Sequence, residues 1–332
     1  MYLCENTRKF NTKMKYKVTK KISLIAICLF FAFCGHSQRR QAQVIAPTFD
    51  FETAETELVE LFAVAARGET ESIRYDANNR FLELLKNTLA EDGAFDHPFA
   101  NLRIRILQPP DRKFRMFNWI MRRDQGMEFF AVMMVRTQQT GEIRIIQLID
   151  ESETTFDRPN AILGADDWYG AYYRQLIQTE GSDGRKYYTL LGWNGNDPGV
   201  SRRIIEVMTF RPNGDPVFGA AIFTGYRGRR ERFVRKVFEY SRRSSMILRY
   251  DFQAYRESAP TRRNPQNFRY VKTNMIVFDQ LVPQEFEMRG RRETYIPAGG
   301  LYHAFVWLDG RWTLKTDVRA RVQTQPDQRR RR

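Results

Sequence analysis

The segment Gly192-Trp193-Asn194-Gly195-Asn196-Asp197 sets an indole beside several amide and carboxylate oxygens, which is the chemistry needed to stack on a sugar ring or hold a cation. The same residues also spell a tight turn after a strand, because Gly and Asn tolerate positive φ. Trp168-Tyr169 and the nearby Tyr172-Tyr173 read first as core and half-buried strand residues and second as a recognition platform. The candidate binding residues are therefore Trp168, Tyr169, Trp193, Asn194, Asn196 and Asp197. No catalytic residue is assigned.

Acids offer a second chemistry. Asp150, Glu151 and Glu153, with Asp157 shortly after, follow a β-type run. Two carboxylates about 5 to 9 Å apart can hydrolyse a glycoside, although a loop of solvated acids is the commoner use of such a cluster. His97 and His303 lie about 200 residues apart among ordinary core residues, which makes packing or turn roles the plainer reading than metal ligation. Neither a metal site nor a cofactor is expected. The chain also has no Gly-rich phosphate loop followed by Lys-Ser/Thr, no nucleophile elbow, no His-Glu-x-x-His and no calcium loop.

The elements that must position these residues change type once along the chain. Leu58, Val59, Leu61, Phe62 and Ala65 form an apolar face over about residues 52–67, and Gly68 supplies the stop. Ile73, Ala77, Phe81, Leu84, Leu85 and Leu89 repeat at helical spacing up to Asp92-Gly93, which predicts a helical hairpin over 49–93. From Pro98 the period switches to two. Short β-rich runs follow at 102–107, 114–121, 127–136, 142–149, 169–177, 186–193, 203–210, 217–223, 232–240, 246–252, 269–278 and 304–313. Asp124-Gln125-Gly126, Thr140-Gly141, Ser182-Asp183-Gly184, Asn213-Gly214-Asp215 and Asp309-Gly310 are hairpin-type connections. No crossover helix interrupts the series, so the predicted fold is mainly β: a helical hairpin, then an antiparallel meander closing into a barrel or a sandwich, α+β overall. A membrane barrel fits poorly, because residues 232–240 mix charge and apolar side chains on both strand faces.

Charge and cysteine usage depend on the first residues. The 332-residue chain has 54 Lys or Arg against 39 Asp or Glu, a net charge of +15. Five lysines between Lys13 and Lys21 precede the apolar run from Ile22 to Phe33, and Gly35-His36-Ser37 presents small residues to a signal peptidase. Residues 1–37 thus read as a signal peptide cut before Gln38, with a polar leader over 38–48. Acylation of Cys34 in a lipoprotein is the alternative, disfavoured by Phe33 just before it, and Met14 heads a more usual signal peptide than Met1. Such a cut removes Cys4, Cys28 and Cys34 and leaves 47 basic and 38 acidic residues, net +9. A single cysteine-free domain then spans 49–322, with its β-rich body at 94–322, and an Arg-rich tail at 323–332 reads as disordered.

Segments in series resemble a family of uncharacterised exported proteins of Bacteroidetes-type bacteria. They are Phe95-Asp96-His97-Pro98-Phe99, Pro110 to Trp119, Asp167 to Ala171, Tyr187 to Trp193, Pro216 to Ala220, Val237 to Tyr240 and Ile276 to Asp279. The resemblance implies export and a single domain, and it carries no catalytic residue, because the family has no assigned activity.

All but six of the basic residues after position 37 are arginine, clustered at Arg227 to Arg235, Arg242-Arg243, Arg262-Arg263 and Arg329 to Arg332. Guanidinium forks suit phosphate, but export removes nucleic acid as a partner and leaves lipopolysaccharide, acidic glycan or an envelope protein. An arginine-rich solvated surface is the bland account of the same composition. The resulting expectation is a non-enzymatic binding or structural protein that is periplasmic, outer-membrane-associated or extracellular, with no transmembrane segment after signal cleavage. The alternative is a carboxylate-based glycan hydrolase.

Overall fold

Side-chain caps open both helices. Asp50 Oδ1 accepts the N–H groups of Glu52 and Thr53 at 3.1 Å, opening helix α1 (Phe51–Arg67), which ends at Gly68. Thr70 Oγ1 accepts the Ile73 N–H at 3.2 Å and opens α2 (Glu71–Ala90). The computed structural model describes residues 49–319 except 138–140, 156, 226–228, 259–260 and 317. The expected signal peptide, leader and terminal Arg tail, and Thr140 of one expected turn, lie outside the described residues.

The protein is mainly β, with the two helices followed by antiparallel sheets. The first sheet is a meander in the order β1 (Arg105–Leu107), β2 (Phe114–Arg122), β3 (Met127–Arg136), β4 (Ile143–Leu148). The second has the order β10-β7-β6-β5, from β5 (Tyr172–Glu180), β6 (Lys186–Asn194), β7 (Val200–Phe210) and β10 (Lys236–Ser241), with β8 (Pro216–Phe218) also paired to β7. The third runs β15-β11-β12-β13-β14-β9, from β9 (Phe223–Thr224), β11 (Leu248–Ser258), β12 (Phe268–Pro283), β13 (Tyr295–Leu308), β14 (Arg311–Lys315) and β15 (Val318–Arg319). One of the sheets is curled like half a barrel. The β9–β14 pair of the third is parallel, an exception to the expected antiparallel series.

Alternation along the strands assigns each face a layer. Phe117 and Trp119 of β2 and Val132 and Met134 of β3 meet the helices through Leu58, Phe81 and Leu85. The opposite faces, through Phe114, Met116, Phe129 and Met133, pack on Tyr188, Leu190, Ile204 and Met208 of the second sheet. That sheet turns Tyr187, Leu191, Ile205 and Val207 towards Ile276, Phe278, Phe305 and Trp312 of the third. The barrel-or-sandwich expectation therefore resolves as stacked sheets under a helical layer.

Several expected runs have different bounds in the structure, and three of them show the cause. Residues 217–223 split at Gly219, whose φ of +104° breaks the strand and whose absent Cβ would meet Val234 Cγ2 at 2.8 Å. The halves, β8 and β9, then join different sheets. Residues 304–313 divide at Asp309-Gly310 into β13 and β14, a tight hairpin with Leu308 opposite Arg311. The run at 232–240 becomes strand only at Lys236, because the Val234 and Arg235 N–H groups go to the Pro159 carbonyl at 2.8 and 3.1 Å.

Buried polar pairs pin the layers to one another. Trp119 Nε1 donates to Asn78 of α2 at 2.8 Å, and Trp312 Nε1 donates to Thr189 of β6 at 2.9 Å. Asn118 accepts the Tyr173 N–H at 2.8 Å and donates to the Ala171 carbonyl at 3.1 Å. Deepest of all is the ion pair of Arg235 with Glu206, both side chains fully buried, in which Arg235 Nη1 also donates to the Arg158 carbonyl at 2.7 Å. Removing one partner strands a charge without water, at a cost of about 3–5 kcal/mol. Arg235→Leu is therefore expected to lower unfolding stability by about that amount, and Arg235→Leu with Glu206→Leu to recover most of it, as read by urea denaturation. An Arg235→Leu chain as stable as the parent would contradict this account of the core.

Candidate functional site

The turn after β6 uses its polar groups on itself. Trp168 and Tyr169 are fully enclosed, Trp168 donating through Nε1 to the Tyr173 hydroxyl at 3.1 Å, so neither ring offers a face to solvent. Trp193 is half-buried, and its Nε1 donates to Ser201 Oγ at 2.8 Å. Asn194 is buried, donates to the Gly170 carbonyl at 2.7 Å and accepts the Asn196 N–H at 3.1 Å. Asn196 in turn accepts the Met127 N–H at 2.9 Å and donates to Glu153. Asn194, Asn196 and Asp197 do share one recess of about 220 Å³ with Glu153, Arg158 and Arg202. The tight-turn chemistry and the polar recess thus coexist, without an exposed aromatic platform.

Asp197 is the structural anchor of that turn. Its Oδ1 accepts the Gly199 and Val200 N–H groups at 2.9 Å each, and Oδ2 meets Arg202 at 3.2 Å. Burial alone would raise this carboxyl, but the N–H bonds and Arg202 outweigh it and hold it below its ordinary value of 3.8. A lowered acid contributes stability that is present above the unfolded value and lost as pH falls through the folded one. Urea midpoints should therefore fall on Asp197→Asn at pH 6 and differ less from the parent at pH 3; an undiminished gap at pH 3 would refute the assignment.

The acidic cluster does not converge on one opening. Asp150 is partly buried, which raises its carboxyl, and it accepts the Ser152 N–H at 2.9 Å and the Phe129 N–H at 3.1 Å. Gly170 is needed beside it, since a Cβ there would lie 2.1 Å from Asp150 Cγ. Glu151 accepts from Thr154 Oγ1 at 2.6 Å, and Asp157 accepts both bonds from Asn160 at 3.0 Å. His97 is likewise engaged, paired with the buried Glu55 at 3.0 Å and stacked on Phe51.

The strongest concentration of charge lies elsewhere, where the first two sheets end together. The β1–β2 connection brings Asp111, Arg112 and Lys113, the end of β3 brings Arg136, and the β5–β6 hairpin brings Arg185 and Lys186. They line a cleft of about 420 Å³ with Tyr188 and Phe210. Five cations and one carboxylate thus line it; beyond the lining Arg112 also pairs with Asp96 and Arg185 lies 4.0 Å from Asp183, and the Asp111 carboxylate is occupied. Asp111 Oδ2 accepts from the Tyr188 hydroxyl at 2.8 Å and pairs with Lys186 at 3.0 Å, while Oδ1 accepts the Lys113 N–H at 3.1 Å. Burial first, and then the bond to Asp111, raise the Tyr188 phenol, which stays protonated as a donor. Aromatic faces hold three of the cations: Arg136 lies 4.5 Å and Arg112 5.7 Å from the Phe95 centroid, and Lys113 lies 5.5 Å from that of Phe210. Burial also pushes the Lys113 amine below the ordinary lysine range.

None of these five residues belongs to the sequence clusters of arginine. Arg227 and the terminal arginines lie outside the described residues, and Arg235 is a core residue rather than a surface one. The available signal is subtle: each cleft cation stands at a strand end or beside a turn, and only the stacking of the sheets makes those ends neighbours.

Among the described residues no helix is long and apolar enough to cross a membrane, and no group of three or more His, Cys, Asp or Glu could hold a metal ion. Comparison with known proteins returned no matching family, no matching curated protein and no matching solved structure.

Proposed function

We propose that this chain is an exported binding protein of the cell envelope or extracellular space, which holds an anionic glycan such as lipopolysaccharide in the cleft formed by Arg112, Lys113, Arg136, Arg185 and Lys186. The observation that supports the reading is the excess of cations lining that cleft, five against the already bonded Asp111, an excess that remains positive when the pairing of Arg112 with Asp96 and of Arg185 with Asp183 at its edge is counted. Guanidinium and ammonium groups match the phosphates and carboxylates of such polymers, and Tyr188 and Phe210 offer apolar surface for sugar rings. Export rests on the basic and apolar N-terminal residues and on the resemblance to exported proteins. It makes envelope polymers the anions within reach.

The hydrolase alternative gains no support at the turn after β6. Glu153 and Asp197 border the same recess, but Asp197 is held ionised by Arg202 and two N–H groups, and Glu153 is engaged by Asn196.

Purified lipopolysaccharide and a sulfated glycan should both bind at low salt and weaken as salt shortens the screening length towards about 10 Å at 0.1 M. Arg136→Glu with Arg185→Glu is expected to weaken binding at least ten-fold, whereas Arg262→Glu with Arg263→Glu, outside the cleft, should change it little. If neither polymer is retained in low salt, or if the two double variants lose binding equally, the reading fails.

A further inference from the structure

Lys236 and His303 occupy strand positions whose neighbours are core. On β10, Phe238 and Tyr240 enter the core between the second and third sheets, and alternation sends Lys236 the same way. On β13, Phe305 enters that core and Trp307 packs against it, so His303 points inward as well. A cavity of about 310 Å³ lies where they face each other, walled by Phe233, Phe238, Phe278 and Phe305.

The charges around Lys236 decide what such a cavity suits. Its Nζ lies 4.9 Å from the Phe233 centroid and 5.5 Å from that of Phe238, and no ion pair reaches it among the described residues. Glu231, Glu239, Asp279 and Arg292 are the other charged groups of the lining. Glu239 is already shared by Arg202 at 3.1 Å and Arg292 at 3.4 Å, and Asp279 accepts the Ile247 N–H at 2.6 Å. With three carboxylates against two cations, a free anion is a poor fit. A neutral molecule with an apolar body fits better. Burial pushes the Lys236 amine below the ordinary lysine range, against Glu231, and burial together with Lys236 pushes the His303 imidazole down.

We propose that this cavity binds a small aromatic aldehyde and that Lys236 Nζ adds to its carbonyl carbon to form an imine. The nitrogen lone pair makes the new C–N bond while the C=O π electrons move to oxygen, giving a carbinolamine. Transfer of a proton from nitrogen to that oxygen and loss of water then form C=N. One aldehyde and one amine yield one imine and one water, with no change of oxidation state. His303, uncharged and facing the same cavity, is the side chain suited to carry the proton. The site is separate from the cationic cleft, so it stands or falls independently of glycan binding.

Benzaldehyde and cyanoborohydride, applied to the full chain at neutral pH and followed by peptide mass spectrometry, test this directly. Cyanoborohydride reduces the imine to a stable benzylamine on the lysine that formed it. The adduct is expected on Lys236 at least ten-fold faster than on any other lysine, with a rate that saturates in benzaldehyde and a selectivity that disappears in denaturant. His303→Gln should slow the reaction several-fold while Lys236 stays preferred, and Lys236→Met should abolish the fast adduct. Because the unmodified chain is mapped lysine by lysine, the result stands even if Lys236→Met fails to fold. Adducts distributed by exposure, a rate linear in aldehyde, or a Lys236 rate that rises only near the ordinary lysine value of about 10.4 would each overturn the proposal.

Discussion

Strand β7 carries Ile204 and Met208 on one face and Ile205 and Val207 on the other, all fully buried, so its sheet must be covered on both sides. An antiparallel sheet commonly leaves one face to water. Here the first sheet takes one side, the third takes the other, and the helices close the far face of the first. Glu206 sits in the middle of that doubly buried strand, where an unpaired carboxylate would be untenable, and Arg235 answers it while holding the loop at 158–161 through two carbonyls. The single ion pair therefore couples a central strand, the approach to an edge strand and a loop of the adjoining layer.

Stacked layers also explain where chemistry can sit. Interiors of the two outer interfaces are filled by rings such as Phe81, Trp119, Phe278 and Trp312, and their polar groups are spent on pinning layers together. Besides a recess along the helices, openings remain at the ends of strands and along the edge strand β10. The cationic cleft is of the first kind, with Asp111 tying the mouth of the first sheet to Lys186 and Tyr188 of the second. The lysine cavity is of the second kind, an edge position where Lys236 takes a place its neighbours Phe238 and Tyr240 give to the core.

Local signals were readable where the physics is local. The 3.6-residue spacing of Phe81, Leu85 and Leu89, with Asp92-Gly93 after, predicts a helix that the structure places at Glu71–Ala90. Met127–Arg136 is a strand over the very residues that the alternating run predicts. Turn residues mark the hairpins at Gly126, Gly184, Gly214 and Gly310, each with positive φ. Errors arose where a distant partner decides. Gly219 separates β8 from β9 because one pairs with β7 and the other with β14, and the chain before Lys236 is loop because its N–H groups bond to Pro159. The candidate turn was legible as a turn, and Trp168 and Tyr169 read first as core, which their burial bears out; the second reading, a platform, falls because another layer covers both rings.

What the amino-acid sequence determined by itself is the set of elements: two helices, then β-strands punctuated by Gly, Asn and Asp, with an excess of arginine. Each depends on residues a few positions apart, so periodicity and turn chemistry suffice. Only the tertiary structure decided the layering, the burial of Arg235 and the grouping of Arg112, Lys113, Arg136, Arg185 and Lys186. Those depend on which strand ends and faces meet across the stack. Charge counts along a chain carry no distance between residues that only packing brings within a few ångströms of one another.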